Sequence, residues 1–204
     1  MSRSFETGEW APARHIRMVR ASDADEIAAI YRPSVIDAVT SFEIDAPDGA
    51  EMARRIEAVL PVAPWLVCVG SAGDVVGYAY AARHRERPAY QWSVDATVYI
   101  RADHHRRGVG RALYEALLPI LRRQGFHSAF AGIALPNAGS VGLHEALGFR
   151  SVGVYQDVGF KHGQWRDVGW WRLGLSEGPP AADPIPFAAL AGDMEALIDG
   201  ASVL

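Results

Sequence analysis

Val98-Tyr99-Ile100-Arg101-Ala102-Asp103-His104-His105-Arg106-Arg107-Gly108-Val109-Gly110-Arg111-Ala112-Leu113 is the stretch on which the reading of this chain turns. Its first three residues end an apolar run that reads as a strand over 92–100. Its last residues open a run in which Val109, Ala112, Leu113, Ala116, Leu117, Ile120 and Leu121 recur at helical spacing. Between strand and helix lies a basic turn holding Gly108 and Gly110. The first N–H groups of a helix have no partner inside it, and the helix dipole adds positive potential there. Glycines let a phosphate approach the backbone, and basic side chains complete an anion site, so this arrangement suits a pyrophosphate. It is not the dinucleotide-binding fingerprint, because the third glycine is missing and the strand comes late in the chain. It is not a Walker loop either, because no Gly-Lys-Ser/Thr follows. On its own, a tight turn with a solvated basic face explains the segment equally well.

Upstream, residues 15–20 alternate polar and apolar and read as a strand. Ser22 is expected to cap a helix with Asp23, Asp25 and Glu26 in its first turn, an apolar face of Ile27, Ile30 and Tyr31, and a kink or break at Pro33. Pro47 and Asp48 open a second helix with a stripe of Met52, Ile56, Val59 and Leu60, ended by Pro61 and Pro64. Strands follow over 65–69 and 75–82, joined by the turn Ser71-Ala72-Gly73-Asp74. Downstream come a strand over 128–134, a helix over 138–147 closed by Gly148, and strands over 149–155 and 167–175. Pro119 falls inside the long helix without an evident reason. Residues 178–184 are linker-like, and 187–197 read as a short amphipathic helix. The order is that of one mixed α/β domain over 15–175, with a lead-in at 1–14 and a Pro/Ala-rich tail at 176–204.

Composition narrows the class. The 204 residues are 50% hydrophobic and 22% charged, with a formal net charge of -4. That is ordinary for a globular domain and argues against a nucleic-acid partner, despite the basic patch between Arg101 and Arg111. The one cysteine, Cys68, lies in the apolar run Trp65-Leu66-Val67-Cys68-Val69 and reads as a buried strand residue. No apolar run approaches the roughly 20 residues that span a bilayer, and residues 1–14 lack an apolar signal segment. A cytoplasmic protein with no membrane partner is expected.

The basic turn resembles the coenzyme A pyrophosphate loop of the GNAT superfamily of N-acetyltransferases, whose pattern Gln/Arg-x-x-Gly-x-Gly/Ala becomes His105-Arg106-Arg107-Gly108-Val109-Gly110 here. His105 departs from the family's Gln or Arg. Three further stretches narrow the match: 90–100 (YQWSVDATVYI), 135–149 (LPNAGSVGLHEALGF) and 159–171 (GFKHGQWRDVGWW) are similar to the phosphinothricin and methionine sulfoximine N-acetyltransferases. The resemblance covers about 16–175. It implies an α/β GNAT fold, with a mixed central sheet of about seven strands flanked by about four helices. It also implies acetyl-CoA as cosubstrate with no metal, a small amino-acid-like acceptor, and a homodimer.

The resemblance distributes roles as follows. Asp95 stands where the family places a Glu as general base, one methylene shorter, and His144 stands where a general acid is expected. Val98, Tyr99 and Ile100 would present backbone groups to the acetyl and pantetheine portions, on a strand that splays from its neighbour. Arg106, Arg107, Gly108, Val109, Gly110 and Arg111 would hold the pyrophosphate, and Asn137 and Ser140 the pantetheine arm. The basic cluster Arg83, His84, Arg85 and Arg87 would lie at the acceptor site, where guanidinium groups suit carboxylate, phosphinate or sulfoximine oxygens. Tyr90, Phe42 and Glu43 would complete the pocket, with Glu43 available to an ammonium group. Trp92, Trp165, Trp170 and Trp171 are expected in the core or at a dimer interface. Other acceptors remain open, namely another small amine or a protein N-terminus. So do a binding protein that holds acyl-CoA without turnover and a nucleotide-binding protein.

Overall fold

The structure is a computed structural model that describes residues 15–190 and Ile198. Seven strands form one sheet: β1 (His15–Met18), β2 (Trp65–Val69), β3 (Val75–Arg83), β4 (Ser93–Ile100), β5 (Ser128–Ala134), β6 (Arg150–Lys161) and β7 (Gln164–Gly174). Their spatial order is β1-β2-β3-β4-β5-β7-β6. Every neighbouring pair is antiparallel except β4 and β5. A parallel pair needs a crossover, and α3 (Val109–Gln124) supplies it. The sheet separates two apolar cores. On one face, α1 (Ala24–Ile36) and α2 (Gly49–Val59) pack Ile27, Ile30, Val35, Met52 and Ile56 against Trp65, Val67 and Tyr78. On the other, α3 and α4 (Ala138–Ala146) cover Leu66, Cys68, Ala79, Val94 and Ala96. This is the mixed seven-stranded α/β architecture that the resemblance implies. No helix among the described residues is long and apolar enough to cross a membrane.

Several boundaries differ from the sequence reading. Ser22 does not cap the first helix. Asp23 stands at that position, after a 3-10 turn over Ala21–Asp23, but its carboxylate does not cap the helix: it ties the preceding turn, accepting the Arg20 backbone N–H at 2.7 Å and the Arg17 guanidinium at 2.7 and 2.9 Å. The helix passes through Pro33 and ends at Ile36, so the proline removes one donor without breaking it. Asp48 caps α2 as expected, accepting the Glu51 N–H at 2.8 Å. Pro119 is carried inside α3. The last two strands are longer than their apolar runs and close at His162-Gly163, both with positive φ (49° and 72°). That is the conformation a two-residue hairpin turn requires.

The segment after Leu175 returns to the core. Ile185 N–H donates to the Gln124 carbonyl at 2.7 Å, and the Gln124 amide donates to Val62 and Ile185 carbonyls at 2.8 and 2.9 Å. Phe187 and Leu190 are buried with the α3 core. Of the helix expected over 187–197, a 3-10 turn spans Phe187–Leu190. Residues 191–197 lie outside the described residues, as does the lead-in at 1–14.

Candidate active site

β4 and β5 pair only at Ser93↔Ser128, Val94↔Ala129 and Asp95↔Phe130. Beyond that point β4 stays with β3 as far as Ile100, and β5 stays with β7 as far as Ala134. The two parallel strands therefore part, and alternate backbone groups of 96–100 face the fork instead of a strand. Such groups need a partner when removed from water. Val98, Tyr99 and Ile100 lie on this free edge, which suits a ligand arm that carries amides.

The strand leads into a loop built for an anion. Arg106 and Gly108 have positive φ (60° and 81°), and α3 begins at Val109. The left-handed conformation at Gly108 favours glycine. The first bond of the helix runs from Ala112 N–H to the Gly108 carbonyl at 3.0 Å, so the preceding N–H groups have no acceptor within it. A Cβ on Gly110 would meet Leu143 of α4 at 3.0 Å, so this glycine also sets how closely the two helices approach. His105 is spent on the loop itself, its Nε2–H donating to the Ile100 carbonyl at 2.8 Å. Arg101 pairs with Asp74 of the β2–β3 turn and with Asp103 (2.8 Å), tying the loop down. Arg106 and Arg107 are exposed, and the exposed Arg111 reaches Glu115 at 3.3 Å. Asn137 Oδ1 accepts the Ser140 N–H at 3.0 Å and caps α4 at the far side of the fork. Glycines, unsatisfied N–H groups and basic side chains together fit the pyrophosphate of coenzyme A.

Alternate residues of β4 point to opposite faces. Val94 and Ala96 enter the α3 core, while Asp95, Thr97 and Tyr99 lie beside their register partners Ala82, Tyr80 and Tyr78 on the α1/α2 face. On that face Tyr80 stacks on Trp65 at 4.0 Å and Tyr78 at 5.6 Å. This aromatic wall, with Tyr31, Glu43, Arg55 and Ala82, encloses a cavity of about 280 Å³. Arg55 grips Glu43 through both oxygens (2.7 and 3.0 Å), and the Tyr31 hydroxyl donates to it at 2.8 Å. Burial alone would raise the Glu43 pKa, but the Arg55 and Tyr31 hydrogen bonds outweigh it and hold the carboxyl below its usual range. Burial pushes Tyr31 up to about 12, so it remains a donor. Glu43 thus meets the cavity as the carboxylate of an ion pair with Arg55, which Arg55 shares with Glu51 at 2.9 Å. Phe42 lies directly over Gly159 of β6, where any Cβ would collide with its ring. Lys161 fastens the same loop, donating to the Val35 and Ser41 carbonyls at 2.6 Å each.

Asp95 sits at the crotch of the fork, and its Oδ1 is 2.6 Å from His84 Nδ1. The His84 ring stacks on Phe130 (4.4 Å, 16°), with Trp170 edge-on at 5.8 Å and Tyr90 at 6.1 Å. Arg85 lies over Trp170, 5.6 Å from the ring centroid. Burial raises the Asp95 pKa above its ordinary value, and the His84 bond opposes that rise.

One of the expected residues is placed elsewhere. Arg83 alternates away from this face and lines a second cavity with Pro61, Val62, Gln91, Phe126 and Ile185. His144 is buried on α4 against Tyr114 of α3. Its Nδ1–H donates to the Ser140 carbonyl at 2.7 Å and its Nε2 accepts from Tyr114 at 2.9 Å, so both nitrogens are engaged. Arg55, Tyr80 and Phe130 escape the sequence reading, which gives Tyr31 only to a helix's apolar face and Trp170 to the core or a dimer interface. Tyr80 alternates with Tyr78, which is a readable signal, but the meeting of Phe130 and Trp170 over His84 depends on the β5–β7 pairing. Trp170 thus lines the site instead of the core, whereas Trp171 is buried as expected.

Residues 16–170 match the model of the acetyltransferase (GNAT) domain family. The chain is 39% identical over 157 residues to the phosphinothricin N-acetyltransferase of Streptomyces viridochromogenes, covering 77% of this chain and 85% of that one. It is 34% identical over 161 residues to the L-methionine sulfoximine/L-methionine sulfone acetyltransferase of Pseudomonas paraeruginosa, covering 78% and 94%. The crystal structure of a GNAT superfamily phosphinothricin acetyltransferase from Sinorhizobium meliloti in complex with acetyl-CoA superposes with a TM-score of 0.79 at 35% identity, covering 84% of this chain and 93% of that one.

Proposed function

The chain belongs to the GNAT acetyltransferase family and is an acetyl-CoA-dependent N-acetyltransferase, and from that premise we propose that its acceptor is the α-amino group of a small amino acid of the phosphinothricin or methionine sulfoximine type. The observation that carries this reading is the size and place of the aromatic cavity. Its volume of about 280 Å³ is on the scale of a single amino acid, and its wall residue Ala82 is the register partner of Asp95. Names of relatives with the same two acceptor types support it.

On this reading the pyrophosphate of the donor lies against the N–H groups of Gly108, Val109, Gly110 and Arg111, with Arg106 and Arg107 beside it. The pantetheine arm runs along Val98, Tyr99 and Ile100 towards Asn137 and Ser140. The acceptor enters past Phe42, with the Glu43–Arg55 pair and Arg85 near its polar end, and its amine is deprotonated at the Asp95–His84 pair. An ammonium group cannot attack a thioester, and a buried carboxylate hydrogen-bonded to an imidazole is a pair that can take its proton. His144, with both nitrogens engaged, clamps α4 to Tyr114 of α3 and does not pass a proton. We also read the protein as a homodimer. β6 is a sheet edge, and Val154, Val158, Phe160 and Trp165 of the hairpin are exposed.

The test is thiol release from acetyl-CoA with phosphinothricin, methionine sulfoximine, methionine sulfone, the common amino acids, a polyamine and a short peptide. Turnover concentrated on the first three bears the reading out. Preference for the polyamine or the peptide overturns the acceptor class.

A further inference from the structure

The resemblance groups His84 with its arginine neighbours at the acceptor site, but its surroundings are those of a catalytic base. Asp95 is one methylene short of the glutamate expected at this strand position, and its carboxylate ends on the imidazole at 2.6 Å. A carboxylate only accepts hydrogen bonds, so Nδ1 carries the proton and the lone pair of the neutral ring lies on Nε2. Nε2 makes no hydrogen bond among the described residues. The ring is fixed by stacking on Phe130 and by the edge of Trp170, with its side chain 12% exposed. Phe130 and Asp95 form the last bridge before β4 and β5 part, so the imidazole covers the point where the fork opens. The charged and titratable groups around it are Arg85, Tyr90 and Asp95. Arg172 of β7 is turned to Ser128 (2.9 Å) and His127 (3.4 Å).

We propose that His84 Nε2 is the group that takes the proton from the acceptor's ammonium, and that Asp95 is a positioning residue that fixes the ring's tautomer and balances the imidazolium. This rests on the acetyltransferase reading above and sharpens its assignment of the base. One N–H bond of the ammonium breaks and its proton goes to Nε2. The freed lone pair forms the bond to the acyl carbon, and the C–S bond electrons leave with the thiolate. The thiolate takes the second amine proton, and the imidazolium returns its proton to solvent. The arrangement accounts for a short carboxylate at this position, because the imidazole supplies the missing reach.

Two measurements on the full-length protein test this. The first is the ¹⁵N spectrum of its imidazoles without either substrate, with His84 assigned by difference from His84→Gln. Expected is the Nδ1–H tautomer at neutral pH, lost or mixed in Asp95→Asn. A dominant Nε2–H tautomer overturns the proposal, whatever the acceptor proves to be. The second is the pH profile of kcat/KM with the best acceptor of the panel. Its acidic limb should coincide with the His84 titration read by NMR and move in Asp95→Asn. His84→Gln should lower kcat by about 10²–10⁴-fold while leaving KM for acetyl-CoA within about threefold. His84→Gln/Asp95→Glu should be no better than His84→Gln. Wild-type turnover in His84→Gln, or recovery by the added glutamate, makes the carboxylate the direct base and overturns the proposal. Failure of every amino acid in the panel while the peptide or polyamine is acetylated sinks the acceptor class alone, since the same His84 measurements then run with that amine.

Discussion

Both nitrogens of His144 are committed inside the protein, and that commitment has a pH signature. Burial holds its pKa below the usual imidazole range, opposed by the hydrogen bond to the Ser140 carbonyl. As pH falls, the unfolded chain therefore takes up a proton before the folded one does. The stability contributed by the neutral ring is complete above about pH 6.5 and is lost as pH falls through the lower folded-state value. His144→Asn should be less stable than wild type at pH 7.5 by about 1–3 kcal/mol, the cost of leaving Tyr114 and Ser140 unpaired. Its melting temperature should also fall less steeply between pH 7 and pH 5. A proton-donating His144 would instead lose kcat at unchanged stability, so thermal unfolding and turnover measured on one preparation separate the two roles.

At the scale of elements, the donor site depends on how α3 meets its neighbours. Gly110 illustrates the balance. Alanine in place of a helical glycine gains about 0.5–1 kcal/mol of propensity. The 3.0 Å approach of that Cβ to Leu143 asks for a small shift of a flexible side chain, so Gly110→Ala should be nearly neutral. Gly110→Val adds two branches where α4 leaves no room and should cost about 1–3 kcal/mol through overpacking. Because displacing α4 also moves the Asn137 cap, KM for acetyl-CoA should rise about tenfold or more, with kcat for bound substrates less affected. Equal KM values for glycine and valine would show that the α3–α4 spacing does not matter to the donor. The hairpin of β6 and β7 contributes from the opposite end. Lys161 and Gly159 hold the 37–48 loop through Val35, Ser41 and Phe42, so a strand remote in sequence shapes the acceptor entrance.

The whole molecule extends past the boundary that composition marks at residue 175. Removing residues 184–204 would strip Phe187 and Leu190 from the α3 core, each worth about 1.5–3 kcal/mol of burial, and leave the Gln124 amide short of one acceptor. Expected is a clearly lower melting temperature with the acceptor preference retained. An unchanged melting temperature would show that this segment is not part of the cooperative unit. At the other edge, Phe160 and Trp165 are 59% and 60% exposed and touch each other edge to face. Phe160→Asp should convert a dimer into a folded monomer in light scattering at micromolar concentration. A monomeric wild type would end the dimer reading.

Much of this was legible in the residues themselves. The strand–turn–helix at 98–113 was legible as a candidate anion site, because left-handed glycine and unsatisfied helical N–H groups are local properties of a short segment. The helical stripes and alternating strands gave the α/β order for the same reason, and Asp95 was legible by its place in a strand similar to those of a known family. Pairing between distant segments decided the rest. Alternation along β3 sent Arg83 to the far face and kept Ala82 beside Asp95. The β4–β5 bridge that ends at Asp95↔Phe130 opened the fork and set Phe130 under His84. The wrap of α1 and α2 over the sheet brought Arg55 to Glu43 and so put an ion pair, not a lone carboxylate, at the cavity wall. Sequence determines which residues can do chemistry, since that is written in side-chain type and local backbone preference. Tertiary structure decides which of them meet, since contacts across the sheet depend on register and facing that no single segment encodes.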